Sequence, residues 1–524
     1  MNRKWKTAKR RLWRLGIVTG LVLLLLLIIR IYEAERGPEL KRWHTWIPHE
    51  LTASQLDNAT YADYLNAEDH LFNEMKQQVS DKLEAEDKTP LNRYYPGSMI
   101  YPGRFVQDWN RSYILRPTGT PRGAVVLLHG LTDSPYSLRH VADVYYQQGY
   151  AVVAIRLPGH GTVPAGLTDV DWQDWMVATR LAVREATRLA GTQTPLHLVG
   201  FSNGGALAVK YALDSLDDHT LRRPQQLILL SPMIGVTRFA RFAGIAGLPA
   251  VFPAFSKTAW LNIVPEFNPF KYNSFPVHAA RQTYLLTQAL QKEIQHYARN
   301  KQLSGFPPVL TFQSVMDSTV STSSVIRSLY NFLPENGSEL VLFDINQAVS
   351  VSPLFRHSSY TAVNQLLPAA RRRYASTVIT NASATSLEMV TKSVPAGEIQ
   401  EQIKPLAIDY PAGLYSLSHV AIPFPAEDGL YGTAPAKKNE FGISFGTLSL
   451  RGESAVLIVG LDSIMRATSN PFYPYMIEQI DHHISCSDKP PLAACLSHFL
   501  TTRESGPQIA GLMLYRVQLF HHLI

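Results

Sequence analysis

From about Tyr101 the chain alternates apolar runs with helical patterns: GAVVLLHG, SLRHVADVYYQQGY, AVVAIRLPGHG, WMVATRLAVREATRLAG, PLHLVGFS, NGGALAVKYALDSL and QLILLSPM. Short unbroken apolar runs bounded by turn residues are strands covered on both faces, and the stretches between them carry helical spacing. Strand and helix in strict succession predict an α/β domain, with a mostly parallel central sheet flanked by helices. The alternation resumes in PPVLTFQSVMDS, TSSVIRSLYNFL and GSELVLFDIN. An irregular stretch follows to about Gly432, and the pattern closes with GTLSLRGESAVLIVGL and a terminal helix, NPFYPYMIEQIDHHI. The domain is expected over about residues 101–484.

Ahead of it stands a different texture. Residues 1–14 carry seven cations and no acid, and LGIVTGLVLLLLLII (15–29) carries no charge. A helix from Trp13 to Tyr32 would be about 30 Å long, the thickness of a bilayer's hydrocarbon core. Aromatic rings and arginines flank it at both ends, as interfaces favour. The positive-inside rule puts residues 1–14 in the cytoplasm and everything after Tyr32 on the far side. A cleaved signal peptide is the competing reading, but Arg30-Ile31-Tyr32-Glu33 is bulky and charged where cleavage needs small residues. The seven N-terminal cations account for the whole formal charge of +7, so no basic face for a nucleic acid is implied. Residues 33–100, polar and patterned as helix and loop, read as a stalk or an embellishment on the domain. Cys486 and Cys495, the two cysteines of the chain, lie in a tail (485–524) where pairing and free thiols both remain open. No His/Cys cluster has metal-ligand spacing, and no cofactor is expected.

Chemistry enters at HLVGFSNGGALA (197–208). A serine hydroxyl needs a base within reach and donors for the oxyanion it creates. A tight strand-to-helix turn flanked by glycines presents such a serine. FGISFG, ending at Gly446, has the same Gly-x-Ser-x-Gly spelling, so context decides. Ser202 follows a strand pattern and precedes a small-residue helix; Ser444 has neither, which makes Ser202 the candidate nucleophile and Ser444 structural. The strand ending at His129-Gly130 would aim the backbone N–H of Leu131 at the reaction centre, and the N–H of Asn203 would be the second donor. His129 itself reads as a buttress of that loop. The acid should follow a later strand: Asp317 stands at a strand's end before a helix, whereas Asp344 lies within the next strand pattern. For the histidine, His357 is nearest in sequence, His419 follows the strand-like KPLAIDY in a serine-flanked loop, and His482 and His483 fall in the terminal helix pattern.

These pieces resemble the α/β-hydrolase superfamily, and within it the monoacylglycerol lipase and carboxylesterase branch grouped with serine-aminopeptidase-like hydrolases. The resemblance is carried by HGLTDSPYSLR (129–139), LPGHGT (157–162) with DWQDW (171–175), GFSNGG (200–205) and VMDSTVS (315–321). SLSHVAIPFP (416–425) is similar to the histidine loop of a bacterial membrane-anchored subgroup, which favours His419 over His357. The resemblance implies an α/β-hydrolase fold and a Ser202–His419–Asp317 triad. It also implies hydrolysis of a small-molecule or lipid ester, with the catalytic domain on the periplasmic side of a bacterial inner membrane. About 100 residues separate Asp317 from His419, more than in compact members, so an insertion is expected over about 347–415. The apolar segment 234–276 stands where the family often inserts a cap, and Phe239, Phe242, Phe252, Phe255 and Trp260 either line an acyl pocket or bury core. A peptidase with the same triad and a non-catalytic envelope protein are the rival readings; a dehalogenase would need Asp at position 202.

Overall fold

The computed structural model describes residues 2–235, 247–317, 319–348, 357–437, 440–447 and 468–487. A short edge strand the sequence reading did not mark, β1 (Tyr113–Leu115), comes first, and the apolar runs then form the predicted strands β2 (Gly123–Leu128), β3 (Tyr150–Ile155), β4 (Leu196–Phe201) and β5 (Gln226–Leu230). A small ribbon, β6 (Trp260–Asn262) and β7 (Phe275–Pro276), precedes β8 (Val309–Ser314) and β9 (Glu339–Phe343). Three further strands, β10 (Ala375–Asn381), β11 (Glu388–Val394) and β12 (Gln402–Asp409), extend the main sheet to the order β1-β3-β2-β4-β5-β8-β9-β10-β11-β12. Pairing is parallel from β3 through β10 and antiparallel at both margins.

The helices are α1 (Asn2–Glu35), α2 (Tyr61–Gln78), α3 (Arg139–Gln147), α4 (Trp172–Ala190), α5 (Asn203–Asp217), α6 (Val277–Arg299), α7 (Thr322–Ser328) and α8 (Tyr473–Ser487), with shorter turns between. Alternate residues of each central strand feed two cores. Ala124, Val126 and Leu128 join α4, α5 and α6 on one face; Val125 and Leu127 join α3 and α8 on the other. Burial on both faces is why these strands read as unbroken apolar runs.

Residues 375–409 correct the expectation of an irregular stretch. β10 is fully buried yet reads ASTVITN; hydroxyls and an amide stand where the apolar signal was sought. The excursion is closed at its base: the Asn346 amide donates to the Tyr415 carbonyl (2.8 Å) and its side chain to the Leu414 carbonyl (2.9 Å). The chain therefore leaves the end of β9 and returns to it before reaching His419. A second excursion after His419 is closed at Asn470, whose amide and side chain bond the carbonyls of Phe424 and Ile422. Residues 448–467, which hold most of GTLSLRGESAVLIVGL, lie outside the described residues.

The segment after α1 is bolted to the domain by charge. Arg156, 1% exposed, bonds Glu50 through both terminal nitrogens (2.7 and 3.0 Å) and Glu68 through Nε (3.0 Å). Glu50 also accepts the Gly159 amide (2.7 Å), so residues 43–83 brace the loop after β3. Cys486, on α8, is disulfide-bonded; Cys495 lies outside the described residues.

Candidate active site

Ser202 occupies the turn between β4 and α5 at φ 54°, ψ −116°, left-handed backbone that L-residues avoid. The turn is fixed by hydrogen bonds on both sides: the Ser202 amide donates to the Leu230 carbonyl (3.0 Å), and its own carbonyl accepts from Gly205 (3.0 Å) and Met233 (2.9 Å). A Cβ on Gly204 would lie 1.9 Å from the Leu128 carbonyl oxygen, so α5 can start against β2 only with glycine there. The loop after β2 also packs closely on the turn, since a Cβ on Gly130 would stand 3.3 Å from the Ser202 Cβ.

Leu131 follows in that loop, and Asn203 is the first residue of α5. The first amides of a helix have no intrahelical acceptor. Among the hydrogen bonds of the described residues, neither the Leu131 nor the Asn203 amide has one. His129 holds the loop's base: its Nε2 accepts from the Leu157 amide (3.0 Å) and its Nδ1 lies 2.9 Å from the Gly130 carbonyl. Burial, aided by nearby His160, pushes its pKa well below the ordinary imidazole value, so it is a neutral strut.

Asp317, three residues past β8, has a fully buried side chain. One carboxylate oxygen accepts the amides of Thr319 (2.8 Å) and Val320 (3.0 Å). The other accepts Gln313 Nε2 (3.0 Å) and lies 2.9 Å from His419 Nδ1. Burial acts to raise its pKa, but the His419 charge, that hydrogen bond and the two amides together hold it below the usual carboxylate value. An ionised carboxylate only accepts, so His419 Nδ1 donates a proton to Asp317 in this contact. The His419 ring stacks on Phe201, the residue before Ser202, with centroids 5.3 Å apart. The structure thus brings His419, Asp317 and the Ser202 turn together.

The other candidates fall elsewhere. Asp344 follows β9 and bonds Thr380 Oγ1 (2.9 Å) and the Ile345 amide (2.8 Å). His357 opens the short helix His357–Tyr360. His483 Nε2 lies 3.7 Å from Glu339. Ser444 is buried, its Oγ without a partner among the described residues, just before the short turn Phe445–Thr447. In the cap segment, Trp260 is buried against the His44 ring, Phe255 is half-buried, and Phe252 is 64% exposed; Phe239 and Phe242 lie outside the described residues.

Three supporting residues escaped the sequence reading. Gln313 orients Asp317 from inside β8. Ser314 Oγ bonds the Leu417 carbonyl (2.9 Å), tying the histidine loop to the same strand. Asp428, nine residues past His419, is buried among Arg139 Nη2 (2.6 Å), His140 Nε2 (3.0 Å) and the Tyr136 hydroxyl (3.0 Å). It joins the segment after the histidine to the helix after the Leu131 loop. Arg139 and its neighbours overcome burial and depress its pKa strongly. A run of hydroxyl and amide residues inside a strand, as in TFQS, was the available signal for the first two.

A cavity of about 290 Å³ lies behind Asp317, lined by Val315, Thr322, Arg327, Ala362 and Leu366 among others. A larger cleft of about 490 Å³ between α4, α5 and α6 contains none of the site residues.

Residues 119–344 match the family described as serine aminopeptidase, S33; the match holds Ser202 and Asp317 and stops before His419. The thermostable monoacylglycerol lipase of Bacillus sp. (strain H-257) is 32% identical over 88 residues, 17% of this chain and 34% of that protein. The chain thus spans about a third of the length of the curated relative it matches. Similar solved structures include the metagenome-derived lipolytic enzymes LipS and LipT (19% identity, 50% of this chain and 98% of that one, TM-score 0.35). A soluble variant of monoglyceride lipase from Saccharomyces cerevisiae is 17% identical over 44% of this chain and 81% of its own, with a TM-score of 0.36. The monoacylglycerol lipase of Paleococcus ferrophilus is 18% identical over 49% and 98%, with a TM-score of 0.33.

Proposed function

We propose that this chain, an α/β-hydrolase, is a membrane-anchored serine hydrolase that cleaves carboxylic esters of apolar or lipid-derived acyl groups. The observation that carries the reading is the contact of His419 with both Asp317 and Phe201. Nδ1 is committed to the carboxylate and the ring is set beside the serine turn, which leaves Nε2 as the nitrogen to serve Ser202. In the proposed reaction Nε2 takes the Ser202 hydroxyl proton as Oγ attacks the ester carbonyl. The Leu131 and Asn203 amides receive the oxyanion, and the imidazolium returns its proton to the leaving alcohol. Water, deprotonated by the same nitrogen, then releases the acid and frees Ser202. Asp317 stays ionised and stabilises the imidazolium. No step calls for a metal or an organic cofactor.

α1 supports the anchor: residues 9–35 form one helix long and apolar enough to cross a membrane. By the positive-inside rule the basic tail favours a domain on the periplasmic side, where esters of the envelope are within reach. The family description favours one second reading, removal of N-terminal residues from peptides by the same triad.

The test is hydrolysis by the full chain in detergent of nitrophenyl esters from acetate to dodecanoate, beside aminoacyl-nitroanilides. The expected result is ester turnover rising with acyl length and lost about ten-thousand-fold or more in Ser202→Ala. Turnover of anilides without esters would replace this reading with the peptidase.

A further inference from the structure

The last turn of α1 is fastened to the capping segment. The Arg30 guanidinium bonds the Trp260 carbonyl. Lys257 Nζ bonds the carbonyls of Glu35 (3.3 Å) and Gly37 (3.1 Å), and Ala34 is buried there. A helix rises 1.5 Å per residue, so Glu35 lies about 9 Å beyond Ile29, the last residue of the apolar run. That distance is close to the depth of one headgroup layer, about 5–8 Å. The segment bonded to residues 30–37 therefore stands at the level of the lipid headgroups.

That same segment exposes apolar side chains. Phe252 is 64% and Leu261 43% exposed, Pro253 and Ala254 are exposed between them, and Phe255 packs edge-on against Phe252. A lone exposed leucine needs no explanation. Here the apolar residues gather on a segment bonded to α1, with Arg30, Arg36 and Lys257 beside them as cations for anionic headgroups. Aromatic rings between an apolar and a wet phase favour this level.

We infer that residues 248–262 form a second, interfacial membrane contact, with Phe252 and Leu261 dipping into the bilayer that α1 crosses; this rests on the reading of α1 as a membrane span. The return limb of the same segment reaches the site. The Tyr272 amide bonds the Thr132 carbonyl (2.7 Å), and Phe270 stacks on Tyr136 at 4.2 Å. The membrane-seated surface and the loop carrying Leu131 are thus joined through about twenty residues. Esters would enter from the lipid surface, and amphiphiles with an acyl tail are the substrates this arrangement selects.

The experiment places a nitroxide at Phe252→Cys, Leu261→Cys, Leu21→Cys or Ile399→Cys in the full chain. All four positions are exposed, so labelling displaces no core. Each protein is reconstituted in nanodiscs of phosphatidylcholine and phosphatidylglycerol, and the label's accessibility to oxygen and to a water-soluble nickel chelate is read from its spectrum. The expected result is a deep, oxygen-favoured Leu21 label, a water-like Ile399 label, and Phe252 and Leu261 labels at the headgroup–acyl boundary. Water-like Phe252 and Leu261 labels beside a deep Leu21 label would overturn the interfacial contact and leave the anchor standing. A water-like Leu21 label would overturn the anchor and the contact with it.

Discussion

Ser202 is held in a backbone conformation that costs of order 1–3 kcal/mol, and its neighbours show what sustains it. Three backbone hydrogen bonds lock the turn, and Gly204 lets α5 start within touching distance of β2. These demands are local, so they leave a local trace: a strand pattern, a serine, then two glycines and alanine. Ser444 shares the spelling and lacks the trace, and the structure puts it directly before the short turn Phe445–Thr447 with no strand leading into it among the described residues. Asp317 left a trace for the same reason, at a strand's end where one carboxylate oxygen meets the amides of the next turn. Gln313, Ser314 and Asp428 were not, because each matters through a partner 4, 103 or 289 residues away. No periodicity in one chain reports such pairings.

At the level of elements, the distance from Asp317 to His419 is explained by a closed excursion. β10 to β12 widen the sheet beyond β9, and Asn346 binds the departing and returning chain together. The sequence hid this because β10 uses Ser, Thr and Asn to fill a buried position between β9 and β11, and β12 carries Pro405 at the outer edge, where a missing N–H is tolerated. Asn346 is fully buried. Asn346→Leu would leave the Leu414 carbonyl without its side-chain partner, at about 1–3 kcal/mol, and would take from Asn381 Nδ2 one of its two acceptors. The expected outcome is a fold that survives with a lower denaturation midpoint, and a kcat reduced about tenfold, roughly 1.4 kcal/mol of barrier, at nearly unchanged KM. Steady-state ester kinetics beside a urea melt checks this. Wild-type kcat in a destabilised variant would mean that the excursion is independent of the histidine loop.

Across the whole molecule, burial governs titration. His44, His160 and His197 are driven by burial to pKa values of about 3, and His129 is well below its ordinary value for the same reason. All four are neutral in the folded protein and take up protons on unfolding once pH falls below about 6.5. The unfolded state then binds more protons, so stability is full above that pH and falls with acidification toward about 3. The slope reaches at most roughly 5 kcal/mol per pH unit from these four groups. Asp143 and Glu293, raised by burial to about 6 and about 7, take up protons in the folded state over the same range and offset part of this loss. With four histidines against two carboxylates, thermal melts of the detergent-solubilised chain should still lose a few degrees between pH 7 and pH 5, and a melting temperature that rises as pH falls over that range would contradict the neutral assignments. The same intact chain offers the most direct test of its chemistry: reaction with a fluorophosphonate, followed by peptide mass mapping, in wild type, His419→Ala and His357→Ala. One adduct on the peptide holding Ser202, lost in His419→Ala and kept in His357→Ala, is the predicted result. An adduct on Ser444, or one on Ser202 that persists without His419 and vanishes without His357, would contradict it.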